Sequence, residues 1–594
     1  MKKTLLLPIV IICLLSASFD RAGCARKAHK ADAAESISMW KAKRIDTAHA
    51  DFAYRTVYSY GNSMEPSSRR MGLGSLNYDW GLWGHNLRRV LPKKPSREVF
   101  ARTKGEVNPD QFCFSSHKLW DYTMNYIEEH YGTDQSTDFL IMPNDNPFSC
   151  TCEQCRKKGN TSTNATPAVT EFISRLAERF PQHRFFTSYY YSTAFFPQRL
   201  LPRNMGVIIS AIEMPLARGS AAASRTVEFC NLIDKWKLLA PHVFVWDYCR
   251  NFDDYLTPFP CLHILQERLR MYKEHGVEGI VLNGSGEDYS TFDELQTWVL
   301  ANLMVDVDKD VDTLVDVFFQ TYYPKSGHII RKYYNTLEAK TRCLGLYEGI
   351  GYAVGEYLDP EEFILFVDEL ERASKNTEKP ERDYLNYLLT GLNFTRLELL
   401  RLTNDPQLRI QKADFIANLR GHSVLNAMQK FREVDGDIDE YLEYVNWHKG
   451  YEVSCNNVLH DTRLTTTSQL DEGAPPIGVL NDGFFGIPYD YHTHWMLYSG
   501  DTLHITIPAI GKPLGDLRVG LLVSSRWHIG NAKVVAVQGT RKTEMLPMLN
   551  LDKKYERVEA KLSMESMDPT DPIELYLIKT GRKIAIDEIT LCAG

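Results

Sequence analysis

Short β-rich runs that alternate with amphipathic stretches, starting near residue 53, constrain the fold of this 594-residue chain more than any other feature. This alternation predicts a parallel sheet covered by helices. The strand candidates lie at residues 53–60, 71–80, 97–101, 138–145, 184–192, 206–213, 242–249 and 279–286. Helix patterns lie between or after them, at residues 118–130, 168–180, 226–239, 262–275 and 292–305. Eight such units are the size of a (β/α)8 barrel, so we predict an α/β, TIM-like fold.

The pattern changes twice after the predicted barrel. First it becomes purely helical, and then short alternating strands appear, with Gly, Pro and Asp at the turns, which predicts a β-sandwich. The predicted organisation is a signal peptide (1–25), a linker (26–50), a catalytic-type barrel (51–310), a helical region (311–450) and a β-sandwich (451–594).

The amino terminus predicts export. Two lysines precede an apolar run that is too short to span a bilayer, as in a secretory signal. Gly23-Cys24 approaches the lipoprotein pattern, in which Cys24 would carry a lipid anchor, and cleavage after Ala25 is the alternative. No second run of about eighteen apolar residues follows. We therefore expect a secreted, periplasmic or cell-surface protein with no membrane insertion beyond that anchor.

The charge balance bears on the partner. The chain has 76 acidic and 68 basic residues, a net charge of −8, and no long Lys/Arg block. The basic footprint of a nucleic-acid binder is therefore missing. We expect a neutral partner such as a glycan, and no cofactor for catalysis.

Polar residues close the predicted strands, at the edge where a barrel builds its active site. The candidate catalytic carboxyls are Asp145, Glu213, Asp247 and Glu287. Carboxyls among aromatic rings suit a sugar, because rings cover the pyranose face and acids act on the glycosidic oxygen. The candidate substrate-binding residues are Trp83, His85, Asn144, Tyr189, Tyr190, Tyr248, Asn283 and Tyr289. The alternative is that a strand-end carboxyl only caps a helix or forms a turn, and that some rings belong to the core.

A cysteine cluster follows the fourth strand candidate. Cys150, Cys152 and Cys155 form a C-x-C-x-x-C motif, and Cys113 lies in the preceding segment. Four thiols suit tetrahedral structural zinc, whereas an exported protein favours disulfides, and free thiols are the third alternative. In each case the cluster would support the loop that carries Asp145.

Four segments carry a family resemblance: WGLWGHN, MPNDNPFSCTCEQCRK, VWDYCRNFDDYLTPFP and GIVLNGSG. Together they resemble the domain-of-unknown-function 4838 family over roughly residues 50–325. The resemblance implies a glycoside hydrolase barrel, with glycoside hydrolase family 163, the endo-β-N-acetylglucosaminidases acting on complex N-glycans, among its members. This chain departs from typical members at Asn146-Pro147, where they carry a glycine. The segments LNDGFFG, HWMLYSGDTLHITIPAI and IAIDEITL are similar to galactose-binding-like sandwiches.

The leading hypothesis is an exported glycoside hydrolase that cleaves N-acetylhexosamine-containing glycans. If the resemblance holds, the acetamido oxygen of the substrate is the nucleophile, Asp145 is the general acid and Asn144 orients the acetamide. Glu213 or Asp247 is the better partner if Asn144 and Asp145 face opposite ways. Two alternatives stay open: a conventional two-carboxylate hydrolase and a non-catalytic glycan-binding protein with a lectin site in its barrel.

Overall fold

The computed structural model describes residues 44–62, 65–219, 222–403, 414–421, 428–434, 436–439, 441–442, 457–460, 462–471, 474–483, 485–486, 491, 495–524, 528–548 and 555–594. The predicted signal peptide, Cys24 and most of the predicted linker lie outside these residues. No helix in the described part of the chain is long and apolar enough to cross a membrane.

The central element of the amino-terminal half is a seven-stranded parallel sheet. In chain order the first strands are β1 (Tyr54–Tyr58), β2 (Trp80–Leu82), β3 (Phe100–Thr103), β4 (Glu106–Phe112), β5 (Asp138–Leu140), β6 (Arg184–Tyr189), β7 (Met205–Ser210), β8 (Leu216–Ala217), β9 (His242–Tyr248), β10 (Gly279–Asn283) and β11 (Cys343–Leu344). The sheet order is β1-β10-β9-β7-β6-β5-β2, and every neighbouring pair is parallel. All seven carboxyl ends therefore meet at one edge.

The mixed α/β class is confirmed, but the closed eight-stranded barrel is not. β1 and β2 stand at the two ends of the strand order, so the described strands form a curled half-barrel. Residues 97–101, the predicted third barrel strand, contribute instead to an antiparallel hairpin of β3 and β4. Lys104 and Gly105 close it with φ of 52° and 90°, the two consecutive positive values that a tight two-residue turn needs.

The sheet has an apolar core on each face. Side chains alternate, so Phe244 and Trp246 of β9 point to the concave face, whereas Val243 and Val245 point to the helices. Large rings fill the concave face because neighbouring strands make room for them. A Cβ at Gly279 would lie 2.6 Å from the Phe244 ring. This packed floor leaves the strand ends as the accessible part of the half-barrel.

The described helices of this half and of the helical region are, in chain order, α1 (Glu65–Arg70), α2 (Leu76–Asp79), α3 (His117–Tyr131), α4 (Glu153–Lys158), α5 (Thr166–Arg179), α6 (Ala223–Lys237), α7 (Leu262–Glu274), α8 (Asp293–Val305), α9 (Val311–Tyr322), α10 (Gly327–Lys340), α11 (Ile350–Glu356), α12 (Pro360–Lys375) and α13 (Glu381–Thr403). Side-chain caps start several of them. Ser116 accepts a hydrogen bond from the Leu119 amide, and Asp310 accepts one from Thr313. Most of α8 is buried, because it packs under the sheet and against later helices at once.

The helical region contacts the half-barrel at the edge where the strands end. β11 pairs with β8, so the region is not purely helical as predicted. A turn around residues 428–438 also docks there: the Tyr255 amide donates to the Phe431 carbonyl, and the Glu433 amide donates to the Phe252 carbonyl. Tyr255 and Phe252 follow β9, so this turn covers the edge that the strand ends form.

Two antiparallel four-stranded sheets make up the carboxyl-terminal part. Their strands are β12 (Met496–Tyr498), β13 (Thr502–Ile507), β14 (Leu514–Ser524), β15 (Ala532–Gln538), β16 (Arg541–Met545), β17 (Tyr555–Ser563), β18 (Ile573–Lys579) and β19 (Ile584–Ala593). The orders are β12-β19-β14-β17 and β13-β18-β15-β16. Residues from both sheets share one apolar core, separate from the cores of the half-barrel.

Candidate active site

Asp145 lies at the strand-end edge, in the loop after β5. Its side chain is 12% exposed, and Oδ1 accepts a hydrogen bond of 2.9 Å from the Tyr190 hydroxyl. The His85 Nε2 atom is 3.8 Å from the same oxygen, and the His85 Nδ1 atom is 2.8 Å from the Pro143 carbonyl. Three of the predicted site residues, Asp145, His85 and Tyr190, are therefore brought together.

Asn144 lies next to Asp145 but is turned to the β3–β4 hairpin. Its amide nitrogen donates to the Asp110 carbonyl at 2.8 Å, and its backbone amide donates to Gln111 at 3.0 Å. Asn146 donates to the same Asp110 carbonyl at 2.9 Å. The two asparagines anchor the loop, so the structure does not support Asn144 as the group that orients a substrate acetamide.

The three consecutive tyrosines that begin at the last residue of β6 lie in two different places, the core and the candidate site. Tyr189 packs behind the sheet, 6.0 Å from the Trp236 ring, so it is not at the site. Tyr190 faces Asp145. The ring of Tyr191 lies beside the ring of Tyr190, and their centroids are 4.2 Å apart. The pKa of Tyr191 is raised, mainly by burial and to a smaller extent by the negative charges of Asp145 and Glu213. A hydrogen bond with Tyr190 lowers it in part. Glu213 is exposed and lies at the rim, near Tyr191.

Aromatic rings line the other side of the cleft. Trp83 lies between Tyr58 and Trp246, with ring centroids 5.1 Å and 6.5 Å away. Asn283 ends β10 in register with Tyr58 on one side and Tyr248 on the other. Trp83, Asn283 and Tyr248 thus lie where the sequence predicted binding residues, and Tyr58 and Trp246 extend the set. Tyr58, Trp246, Tyr248 and Asn283 share one signal, because alternation places each of them on the concave face of its strand, whereas Trp83 follows the end of β2.

Asp247 is not part of this cleft. It faces the helices, is fully buried, and pairs with the Arg268 guanidinium. It also accepts hydrogen bonds from the Tyr272 hydroxyl at 2.6 Å and the Tyr248 amide at 2.8 Å. The prediction that Asp247 serves as a catalytic partner does not fit this position, because a buried carboxyl paired with an arginine stabilises the fold and cannot reach a substrate.

Two further candidates after β10 lie outside the centre of the cleft. Tyr289 is buried against the helical region, where its hydroxyl donates to the Tyr387 carbonyl at 2.9 Å, so it cannot bind substrate. Glu287 is exposed at the rim. Burial, followed by Glu287, Asp288 and the more distant Glu433, raises the pKa of Tyr58 to about 12. Glu287 therefore lies near the aromatic wall rather than beside Asp145.

Glu433 is the functional candidate that sequence reasoning missed. It lies on the turn of the helical region that docks over the strand ends. Burial, followed by the negative charges of Asp145 and Asp253, raises the pKa of Glu433 to about 7, with Lys430 opposing. Glu433 is therefore a carboxyl within electrostatic reach of Asp145 whose raised pKa favours the protonated form near neutral pH.

The charges of Asp145 and Glu433 also raise the pKa values of two neighbouring tyrosines. The pKa of Tyr347 is raised well above its ordinary value by burial, then by Glu433, Tyr248, Asp253 and Asp145. The pKa of Tyr248 is raised by burial and by neighbouring carboxylates that include Asp145 and Glu433. Both carboxyls therefore act electrostatically on both rings, which places Asp145 and Glu433 in the same region of the strand-end edge.

The four predicted cysteines are also brought together. None of Cys113, Cys150, Cys152 and Cys155 forms a disulfide, and their sulfur atoms lie within 4.8 Å of one another. The cluster is adjacent to the loop of Asp145, as predicted from the spacing.

Comparison with known proteins identifies the family. The chain belongs to the family described as Domain of unknown function (DUF4838), whose model matches residues 27–335, and the family resemblance is thereby confirmed. No curated protein matches this chain.

Solved structures share a distant likeness with this chain. A family GH115 4-O-methyl-α-glucuronidase, with specificity for decorated arabinogalactans, matches with a TM-score of 0.36 and 9% identity over 80% of this chain and 67% of that one. A GH138 enzyme targeting pectin rhamnogalacturonan II matches with a TM-score of 0.27 and 8% identity over 84% and 79%. CpGH89CBM32-4 from Clostridium perfringens, in complex with GlcNAc-α-1,4-galactose, matches with a TM-score of 0.16 and 12% identity over 24% and 97%.

Proposed function

We propose that this protein is a glycoside hydrolase that cleaves a bond next to an N-acetylhexosamine, as an endo-β-N-acetylglucosaminidase acting on N-glycans. One observation carries the proposal: Glu433 docks at the strand-end edge that also carries Asp145, and burial, followed by the charges of Asp145 and Asp253, raises its pKa to about 7. Glycoside hydrolysis needs one carboxyl that holds a proton for the leaving oxygen and a second polar group that acts on the sugar.

The raised pKa favours Glu433 as the proton donor. Sequence reasoning assigned this role to Asp145, but the hydrogen bond that Asp145 accepts from the Tyr190 hydroxyl favours its ionised form. In the proposed first step Glu433 protonates the glycosidic oxygen, the anomeric C–O bond breaks, and the acetamido oxygen forms a new bond to the anomeric carbon. Asp145 orients the acetamide by accepting its N–H. In the second step water adds to the anomeric carbon, the acetamido bond breaks, and the water proton passes to Glu433.

The walls of the cleft suit this substrate class. Trp83, Trp246 and Tyr58 present adjoining rings, which can cover the apolar face of a pyranose. Asn283 ends its strand between Tyr58 and Tyr248 and offers an amide to the sugar hydroxyls. This combination of rings and a few polar groups is typical of a carbohydrate site.

Two predictions about the remainder of the chain belong to the same proposal. Residues 1–25 support export, with Cys24 as the site of a lipid anchor or Ala25 as the end of the signal. The two carboxyl-terminal sheets are proposed to be galactose-binding-like, on the basis of the three segments that resemble such sandwiches. A binding module there would hold the glycan while the cleft cuts it.

Incubation with a glycan panel, followed by mass analysis of the products, tests the proposal. An endo-acting enzyme leaves one N-acetylglucosamine on the peptide and releases the rest of the N-glycan. Glycan binding without any product would replace the hydrolase with the glycan-binding alternative.

A matched pair of aryl glycosides tests the acetamido step. One member carries an acetamide at carbon 2 and the other a hydroxyl. We expect turnover only of the acetamido member, since the hydroxyl cannot attack the anomeric carbon. Equal turnover of both would identify a conventional two-carboxylate hydrolase, in which Asp145 is the nucleophile or base.

A further inference from the structure

Four cysteine side chains from two separate segments converge beside the cleft. Cys113 precedes α3, whereas Cys150, Cys152 and Cys155 lie in the loop after β5 and in the first turn of α4. The Cys113 sulfur is 3.7 Å from the sulfur of Cys152 and 3.7 Å from that of Cys155. Cys113, Cys150 and Cys155 are buried, and Cys152 is partly exposed.

The distances between the sulfur atoms fit a shared metal ion better than any disulfide. A disulfide requires sulfur atoms about 2.05 Å apart. In a tetrahedral zinc–thiolate centre with bonds of about 2.3 Å, the sulfur atoms lie roughly 3.8 Å apart. Cys592, in the carboxyl-terminal sheets, is disulfide-bonded, so the chain contains both kinds of cysteine. The four clustered cysteines are thiols at the spacing of metal ligands.

We propose that Cys113, Cys150, Cys152 and Cys155 bind one structural zinc ion. Four soft sulfur ligands that leave no open coordination position are typical of a structural site rather than a catalytic one. Neighbouring groups fit thiolates as well. The Arg102 amide donates to the Cys150 sulfur at 3.3 Å, the Cys155 amide is 3.5 Å from the Cys152 sulfur, and the Ser115 hydroxyl is 3.2 Å from the Cys155 sulfur.

The zinc ion would join the hairpin to the loop of Asp145. The Thr151 amide, between two of the ligands, donates to the Arg102 carbonyl of β3 at 2.8 Å. The side chains of Asn144 and Asn146, which flank Asp145, donate to the Asp110 carbonyl of β4. The cluster therefore acts on the site through position: it fixes the chain that follows Asp145, while the two asparagines anchor Asp145 to the hairpin.

Metal analysis of the purified full-length protein tests the proposal. We expect one zinc ion per chain, retained through dialysis and released when the thiols are modified with a mercurial. Protein loaded with Co²⁺ in place of zinc should show the sulfur-to-cobalt charge-transfer band and the intense visible bands of a tetrahedral thiolate site. Both readouts are independent of sugar turnover.

Two variants complete the experiment. Cys113→Ser should bind no stoichiometric zinc and melt at a lower temperature, whereas Cys230→Ser, which alters a cysteine outside the cluster, should keep both the zinc and the Tm. Metal-free wild-type protein with four titratable cluster thiols would overturn the proposal. So would two disulfides among these cysteines in a peptide map. Should Cys113→Ser fail to fold, the cobalt spectrum of the wild-type protein still decides.

Discussion

Replacement of Glu433 by Gln is the most direct test of the proposed chemistry. The substitution keeps the shape of the side chain and removes the proton. The difference between the ordinary pKa of 4.5 and about 7 means that roughly half of the wild-type molecules carry this proton at neutral pH. An ordinary glutamate would carry it in fewer than about one molecule in a hundred. We therefore expect kcat to fall at least about 10²-fold, the usual scale for loss of acid catalysis.

The leaving group separates proton donation from other roles of Glu433. An aryl glycoside with an acidic phenol needs little protonation, so Glu433→Gln should slow its hydrolysis far less than that of a glycan. The alkaline limb of the pH–rate profile, near pH 7 in the wild type, should also disappear. Glu348→Gln is the matched control, because Glu348 also has a raised pKa, caused by burial and Asp253, but is not linked to Asp145.

The same variant should change stability in a defined pH window. The folded protein holds the Glu433 proton up to about pH 7, whereas the unfolded chain releases it near 4.5. The contribution of Glu433 to wild-type stability therefore falls as pH rises from about 4.5 to about 7, by roughly 3 kcal/mol. Glu433→Gln lacks this loss, so at pH 8 it should be the more stable protein and at pH 4.5 nearly equal. Urea unfolding at both pH values measures this.

Two results would refute the reasoning. Full activity on glycans in Glu433→Gln would return proton donation to Asp145, Glu213 or Glu287. A stability difference that does not vary with pH would show that Glu433 titrates normally and holds no proton for catalysis.

Further substitutions separate the roles of the remaining residues. Asp145→Asn should reduce kcat at least about 10²-fold on glycans and on acetamido aryl glycosides alike, because Asp145 acts on the acetamide and not on the leaving group; sparing of the aryl substrate would contradict this. Asp247→Ala should cost about 3–5 kcal/mol in urea unfolding, since it leaves the buried Arg268 unpaired, and a small change would argue against a buried ion pair. Trp83→Ala should raise KM more than it lowers kcat; an unchanged KM would remove the aromatic wall from the binding site.

Successive side chains of a strand point to opposite faces of the sheet, and this explains why some site residues were predictable and others were not. Asp247 and Tyr248 are adjacent at the end of β9, and both faces of this strand are buried. The sequence therefore offers no apolar and polar sides to tell which residue faces inward. The one usable signal was the aromatic set Phe244, Trp246 and Tyr248 at every second position, since the concave face is filled with rings.

The β3–β4 hairpin and Glu433 were not predicted from the sequence, for two different reasons. Only residues 100 and 101 of the predicted strand are extended in the structure; they belong to β3, which pairs with β4 across the Lys104-Gly105 turn, whereas residues 97–99 form a short 3-10 helix. Glu433 stands in a charged turn, Arg432-Glu433-Val434, within a helical region. Such a turn is usually solvated, but two backbone hydrogen bonds, from the Tyr255 amide to the Phe431 carbonyl and from the Glu433 amide to the Phe252 carbonyl, dock it over the strand ends.

Asp145 and Glu433 come from different parts of the chain, the half-barrel and the helical region, and this affects how relatives of this chain are compared. The family match ends at residue 335 and includes Asp145 but not Glu433. Two members can therefore agree throughout the matched half and still differ in the residue that we propose as the proton donor. A survey that reads residue 433 and its surrounding turn alongside residue 145 would sort such members into those that retain both acids and those that retain one.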